Sequence, residues 1–137
     1  MEANAANELV SFDCDPDARI RADATFAEFG DRFTFHDLSF QRMDEVSSES
    51  EFDGVIMDLG ISSFQLMEPL KGFSFRLDAP IDMRLDPRVG ISAAEFLETA
   101  SRESLVRAIR EYGEEKRWNR VVNAIIEARG SGVLLRT

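Results

Sequence analysis

The sequence predicts an α/β chain, with a parallel-sheet half over residues 1–65 joined to a small helical half over residues 66–137. Three observations carry this. Three short apolar runs, ELVSFD (8–13), RFTFHD (32–37) and FDGVIMDL (52–59), each end at or beside a carboxylate. Between the first two lies a segment with helical start and stop signals, the pattern of a βαβ unit. Beyond residue 90, apolar side chains recur at three- and four-residue steps, the period of a helix.

In chain order, 8–13 reads as a strand and DPDARIRADATFAEFG (15–30) as a helix. Asp15 supplies the N-cap, Pro16 the first helical position and Gly30 the stop. Ala18, Ala22, Phe26 and Phe29 give that helix one apolar face. Residues 32–37 make a second strand, SFQRMDEV (39–46) a helical turn or two, and SSESE (47–51) a solvated loop. The unbroken Val55-Ile56-Met57 suits a third strand buried on both faces of a parallel sheet. SAAEFLETA (92–100), SRESLVRAIREYG (101–113) and EEKRWNRVVNAIIEARG (114–130) read as three helices. Ser92 with Glu95 has capping-box spacing, Ser101 starts the second helix, and Gly113 and Gly130 are stops. Trp118, Val121, Val122, Ile125 and Ile126 form the core stripe of the last.

The chain has 137 residues, 44% of them apolar, enough for one domain with a core. Its single cysteine, Cys14, excludes an internal disulfide framework and a cysteine-rich zinc site, and fits a reducing compartment. No basic, apolar leader opens the chain, and no apolar run has the length of a membrane span, so a cytoplasmic protein is expected. The net charge is −10, unevenly spread. Residues 1–65 hold 15 acidic and 4 basic side chains, whereas residues 66–137 hold 11 and 12. A surface that handles anions is therefore expected in the second half.

Ligands of open parallel sheets bind beyond the carboxyl ends of the strands. Asp13 ends the first strand, Phe40 follows the second, and Asp58 ends the third. A strand-end carboxylate can accept hydrogen bonds from both ribose hydroxyls, and an aromatic ring can cover an adenine face. Helix capping or a turn explains either carboxylate equally well, and Phe40 alone would be core. FDCDPDA (12–18) also admits a magnesium-dependent phosphohydrolase in which Asp13 attacks phosphorus and Asp15 moves the proton. Asp17 departs from that pattern, and Pro16 is better explained by helix initiation. His36, the only histidine, reads as structural. DLGISSFQL (58–66) follows with a glycine, Ser62, Ser63 and Gln65, a polar density ill suited to a core. KGFSFRLDAPIDMRLDP (71–87) then adds Phe73, Phe75, Arg76 and Arg84 among three aspartates. Arginines can grip phosphates and phenylalanines can stack on an extruded base. An acid-paired, self-packed loop has the same composition.

DLGISSFQL, KGFSFR, DAPIDMRLDP, SAAEFL and EYGEE resemble, in order and spacing, the ribosomal RNA small subunit methyltransferase H family. FDCDPDA and RFTFHDLSF are similar to that family's second and third strands with their turns. The resemblance implies a partial Rossmann-like class I methyltransferase sheet followed by a helical insertion on the substrate side. It implies methyl transfer from S-adenosyl-L-methionine to N4 of a cytidine in small-subunit ribosomal RNA, with that RNA or the 30S-type subunit as partner. It makes Asp13 the ribose-binding carboxylate, puts Phe40 beside the adenine, and has Asp58 and Gln65 complete the cofactor pocket. Phe73, Phe75, Arg76 and Arg84 become the RNA-side candidates. It assigns no catalytic base and no metal. The family's GGxGGH-like turn has no counterpart before Asp13, and its SFHSLEDR-like segment has none after VLLRT. The chain is thus expected to be the middle of a longer enzyme, with half a pocket, weak cofactor binding or none, and unpaired sheet edges; the alternative is a truncated binding module that does not catalyse alone. Phe64 stands where the family has proline, and KRWNRVVNAI is less basic than the family's helix.

Overall fold

The computed structural model describes residues 7–46 and 52–137, so the expected SSESE loop lies outside the described residues. The chain forms two compact units, residues 1–58 and 59–137. Among the described residues, no helix is long and apolar enough to cross a membrane.

The first unit is built on β1 (Leu9–Asp13), α1 (Pro16–Phe26) and β2 (Phe33–Asp37). β1 and β2 pair in parallel, with Leu9 opposite Phe33 and Asp13 opposite Asp37. α1 starts where the sequence predicts: Asp15 is the N-cap, its Oδ1 accepting the Asp17 N–H at 3.0 Å, and Pro16 follows. The helix is shorter than its signals suggest. It ends at Phe26, and 3₁₀ turns over Ala27–Arg32 carry the chain to β2, with Gly30 at φ 51° making the reversal. A residue with a side chain would be strained there. α1 buries no side chain completely. Aromatic contacts bind the unit instead: Phe26 lies 4.5 Å from Phe33 and Phe12 stacks on His36 at 5.1 Å, between ring centroids. Arg19 adds a tie from α1 to β2, donating to the Phe35 carbonyl at 3.2 Å.

The expected third strand does not form. Residues 52–62 have no regular structure, and Val55, Ile56 and Met57 are exposed, Ile56 to 97%. A strand exists only by pairing its N–H and C=O groups with a neighbour. In the doubly wound order 3-2-1-4 the fourth strand lies beside the first and touches neither the second nor the third. Those are the two places to which the resemblance assigns β1 and β2, so apolar patterning alone could not make this segment a strand here.

The second unit contains α2 (Ser63–Met67), α3 (Ala93–Thr99), α4 (Arg102–Val106) and α5 (Trp118–Ala128). Ser92 and Ser101 cap α3 and α4, their hydroxyls accepting the N–H groups of Glu95 and Ser104 at 3.2 Å each. The helix predicted over 101–113 continues past α4 as a π-helical stretch, Arg107–Tyr112, to Gly113. Leu105 of α4 and Val122 of α5 are fully buried, with the rest of the predicted α5 stripe partly buried around them. Polar clasps lock these helices together. Arg102 donates to Asn119 and Asn123 at 2.7 Å each, and Arg129 reaches the carbonyls of Leu97 and Ala100 at 2.8 and 2.6 Å. The latter occupy acceptors at the end of α3 that its own helix leaves open.

Between α2 and α3 the chain folds into a closed loop. Its neck is the Met83 N–H donating to the Lys71 carbonyl at 2.7 Å, with Met83 itself at φ 61°. Gly72, at φ 67°, lies so close to the opposite limb that a Cβ would meet the Pro80 oxygen at 2.3 Å. The last residues close the other side as a strap: Pro80 and Arg136 form an antiparallel bridge, and Ile81 donates to the Leu135 carbonyl at 3.1 Å. The loop also starts α3, its Asp82 and Ile81 carbonyls accepting from Ala93 and Ala94 at 2.7 and 2.9 Å.

Two Asp-x-Arg clasps stiffen this loop. Asp82 accepts the Arg84 backbone N–H at 3.0 Å and its guanidinium at 2.9 and 2.7 Å. Asp86 holds Arg88 in the same way, at 2.9, 2.7 and 3.0 Å. Hydrogen bonding from the guanidinium pulls each carboxyl below the usual carboxylate range.

Replacing Gly72 by Ala should destabilise the second unit in urea unfolding by at least about 2 kcal/mol more than Gly130→Ala. The Gly130 substitution carries only the left-handed cost of roughly 1–2 kcal/mol, since nothing lies within 4 Å of its Cβ position. Equal losses would show that the neck is loose. The Asp82 carboxyl titrates lower folded than unfolded, so its contribution is complete above about pH 4 and disappears as pH falls through the folded value. An Arg84→Gln chain should therefore be less stable than the parent at neutral pH, the gap closing as the pH drops below about 4. A gap independent of pH would rule out the ion pair as its source.

Candidate functional site

At the carboxyl end of the sheet three backbone events follow one another. The Asp13 carboxylate turns back on its own chain, Oδ1 accepting the Asp15 N–H at 2.8 Å. Its carbonyl accepts the Leu38 N–H at 3.1 Å, which steers the chain leaving β2 past the end of β1. Ser39 then caps a 3₁₀ turn over Phe40–Glu45, accepting the Gln41 N–H at 3.4 Å. Asp13 and Phe40 thus come to one end of one βαβ unit, although 27 positions apart in sequence. Phe40 is not core: 43% of it stays exposed. Asp13 is half-buried and does serve a turn, but that role occupies Oδ1.

The same geometry weakens the phosphohydrolase alternative. Asp15, the proton carrier of that scheme, is fully buried and commits Oδ1 to the start of α1. His36 is stacked on Phe12 within the sheet, a structural place. Asp58 closes the first unit at the end of the exposed apolar segment.

Gln65 belongs to the second unit and is buried. Its Oε1 accepts the Ser62 N–H at 2.8 Å while the Ser62 hydroxyl accepts the Gln65 N–H at 3.2 Å, a reciprocal capping box that starts α2. The S-x-x-Q spacing of residues 62–65 is the sequence signal for that box, one that polar density alone does not convey. The RNA-side candidates separate. Phe75 is 86% exposed, with the Arg76 guanidinium 5.9 Å from its ring centre, and both stand at the tip of the closed loop. Phe73 is half-buried. Arg84 is committed to Asp82 and, at 3.2 Å, to the Gly90 carbonyl, so it holds the loop from within. Its pairing with Asp82 is what an acid-paired loop provides. The repeated Asp-x-Arg spacing in DMRLDPR is its sign in the sequence.

Known proteins resemble this chain along nearly its whole length. Residues 1–137 match the MraW methylase family. Proteins named ribosomal RNA small subunit methyltransferase H share 42% identity in Leptothrix cholodnii, over 93% of this chain and 40% of the relative. In a Cyanothece species identity is 40%, over 94% of this chain and 43% of the relative. In Thioalkalivibrio sulfidiphilus it is 40%, over 94% and 42%. The chain therefore spans about two fifths of the length of the curated relatives it matches. With a βαβ unit whose sheet end gathers a carboxylate and an open aromatic ring, a family match over residues 1–137 and identity of 42% over 93% of its length to a named relative, the chain belongs to the MraW methylase family.

Proposed function

We propose that the chain is the central part of a methyltransferase that uses S-adenosyl-L-methionine to modify N4 of a cytidine in small-subunit ribosomal RNA. Family membership supports the reaction class, and the names of the relatives support the RNA substrate. The observation on which the reading rests is the meeting of Asp13 and Phe40 at one sheet end. An acceptor-only carboxylate suits the two hydroxyls of a ribose, and the open ring of Phe40 suits an adenine face. These residues therefore fit the nucleoside part of the cofactor. Asp58, at the end of the apolar segment, is the third residue assigned to it.

When bound, the cofactor supplies an electrophilic methyl group on a sulfonium. The chain's own residues bind and orient. Asp13 fixes the ribose, Phe40 the base, and Gln65 holds the Ser62–Phe64 turn in shape through its capping box. Phe75 and Arg76 take the RNA side, offering an aromatic face and a cation at the tip of a loop with a rigid neck. The cytidine amino group is paired in a duplex, so the substrate must be single-stranded or flipped out for those residues to reach it. Positioning of this kind accounts for much of the rate in such transfers. No side chain is assigned as the base. Residues 66–137 act as the substrate-side helical part, and residues 1–65 as the cofactor-side part, of a protein that works in the cytoplasm on the 30S-type subunit or its RNA.

Isothermal titration of S-adenosyl-L-methionine into the chain tests the cofactor half. Half a pocket should bind weakly, with Kd above about 100 μM, a binding free energy no stronger than about −5.5 kcal/mol. Asp13→Ala should abolish the residual heat. Micromolar binding unchanged by Asp13→Ala would show that the cofactor is held elsewhere.

A further inference from the structure

The tip of the closed loop, residues 73–76, is pinned at both ends. On one side stands the neck, where the Met83 N–H meets the Lys71 carbonyl and Gly72 meets the opposite limb. On the other the strap takes hold at Leu77, the residue directly after Arg76. The Thr137 hydroxyl donates to the Leu77 carbonyl and accepts the Ala79 N–H at 3.1 Å. The Thr137 N–H donates to the Ala79 carbonyl at 2.9 Å. Arg136 binds the Asp78 carboxylate at 2.6 Å and the Asp78 carbonyl at 3.0 Å. Ala79, in the middle of these bonds, is buried.

Without the strap, the neck and the start of α3 would still fix residues 71–72 and 81–83, leaving the eight residues 73–80 to regain their backbone freedom. With it the free run is the four residues 73–76. A turn at Ser74 takes up those four: its hydroxyl accepts the Arg76 N–H at 3.3 Å and its carbonyl the Leu77 N–H at 3.4 Å. The Asp78 and Arg136 side chains are 76% and 54% exposed, so their ion pair adds less to this hold than the part-buried hydroxyl does. The strap is itself aimed by α5, which it follows through Gly130 and Gly132, both with left-handed backbones at φ 73° and 83°.

We infer that Thr137 is a positioning residue for the RNA-side loop: its hydroxyl fixes the limb that follows Arg76, so that Phe75 and Arg76 meet the substrate already arranged. This rests on the reading of Phe75 and Arg76 as the RNA side, and it names the group that aims them. A tip held ready spares the substrate the cost of ordering it.

Nitrogen-15 relaxation of the chain, joined to fluorescence anisotropy with a labelled oligocytidylate, tests it. Thr137→Val keeps the side chain's shape and removes its hydroxyl, and Thr137→Ser restores the hydroxyl. The Phe75 and Arg76 amides should have order parameters near the rigid value of about 0.85 in the parent, fall below about 0.6 with Val and recover with Ser. A tip in its competent arrangement about a tenth of the time raises the apparent Kd for oligocytidylate about tenfold. In a chain already carrying Phe75→Ala and Arg76→Gln, Thr137→Val should add nothing further. Tip amides as ordered in the Val chain as in the parent, or disorder that Ser does not reverse, overturn the inference. Should Thr137→Val cost the helical circular dichroism, Arg136→Gln takes its place, with a smaller loss of order expected and an unchanged tip overturning the inference. Binding that weakens equally with and without Phe75 and Arg76 overturns the positioning role and leaves the RNA reading intact. A parent chain that ignores oligocytidylate overturns the RNA reading, and the order parameters then still decide whether the strap holds the tip.

Discussion

Asp15 is the fully buried carboxylate at which β1 hands the chain to α1, and the first unit depends on it. A buried carboxylate is tolerated only when hydrogen bonds replace its water. Here the replacement is the open N-terminus of α1, whose Asp17 N–H it accepts. Its own N–H is taken by Asp13. One turn thus settles where the helix begins, which way the Asp13 carboxylate faces along the chain, and how β1 ends. The Asp13 carbonyl then receives Leu38 and brings the Phe40 turn to the same sheet end. The juxtaposition on which the cofactor reading rests is a by-product of starting a helix correctly.

That hierarchy explains which features can be read from the sequence. The N-cap of α1, the reversal at Gly30, the serine caps of α3 and α4 and the Val122 stripe of α5 are local, each decided within a few residues. The FDGVIMDL segment misleads because its apolar run describes what a strand would bury, while the strand itself requires a neighbour to bond. The strap between residues 77–81 and 133–137 leaves no local sign, because its partners are far apart in sequence, 58 positions for the Ala79 N–H to Thr137 hydroxyl bond of 3.1 Å.

The opening of the second unit changes in meaning under the same logic. Its polar density serves the fold first: Ser62 and Gln65 start α2, while two Asp-x-Arg clasps and a neck at Gly72 close the loop. Once those groups are committed, Phe75 and Arg76 are what the loop presents outward. Carboxylates and arginines that look equivalent in composition divide into those that build the scaffold and those that the scaffold displays. Only their partners in space separate them.

The central claim is that the end of the β1–β2 sheet, through Asp13 and Phe40, receives the nucleoside of the methyl donor. Ultraviolet irradiation of the chain with excess radiolabelled S-adenosyl-L-methionine, followed by tryptic mapping, tests this directly even when binding is weak. The account predicts label in the peptide FTFHDLSFQR, residues 33–42, competed away by unlabelled cofactor and lost in Asp13→Ala. Label confined to other peptides, or label in this one that persists without the Asp13 carboxylate, would contradict it.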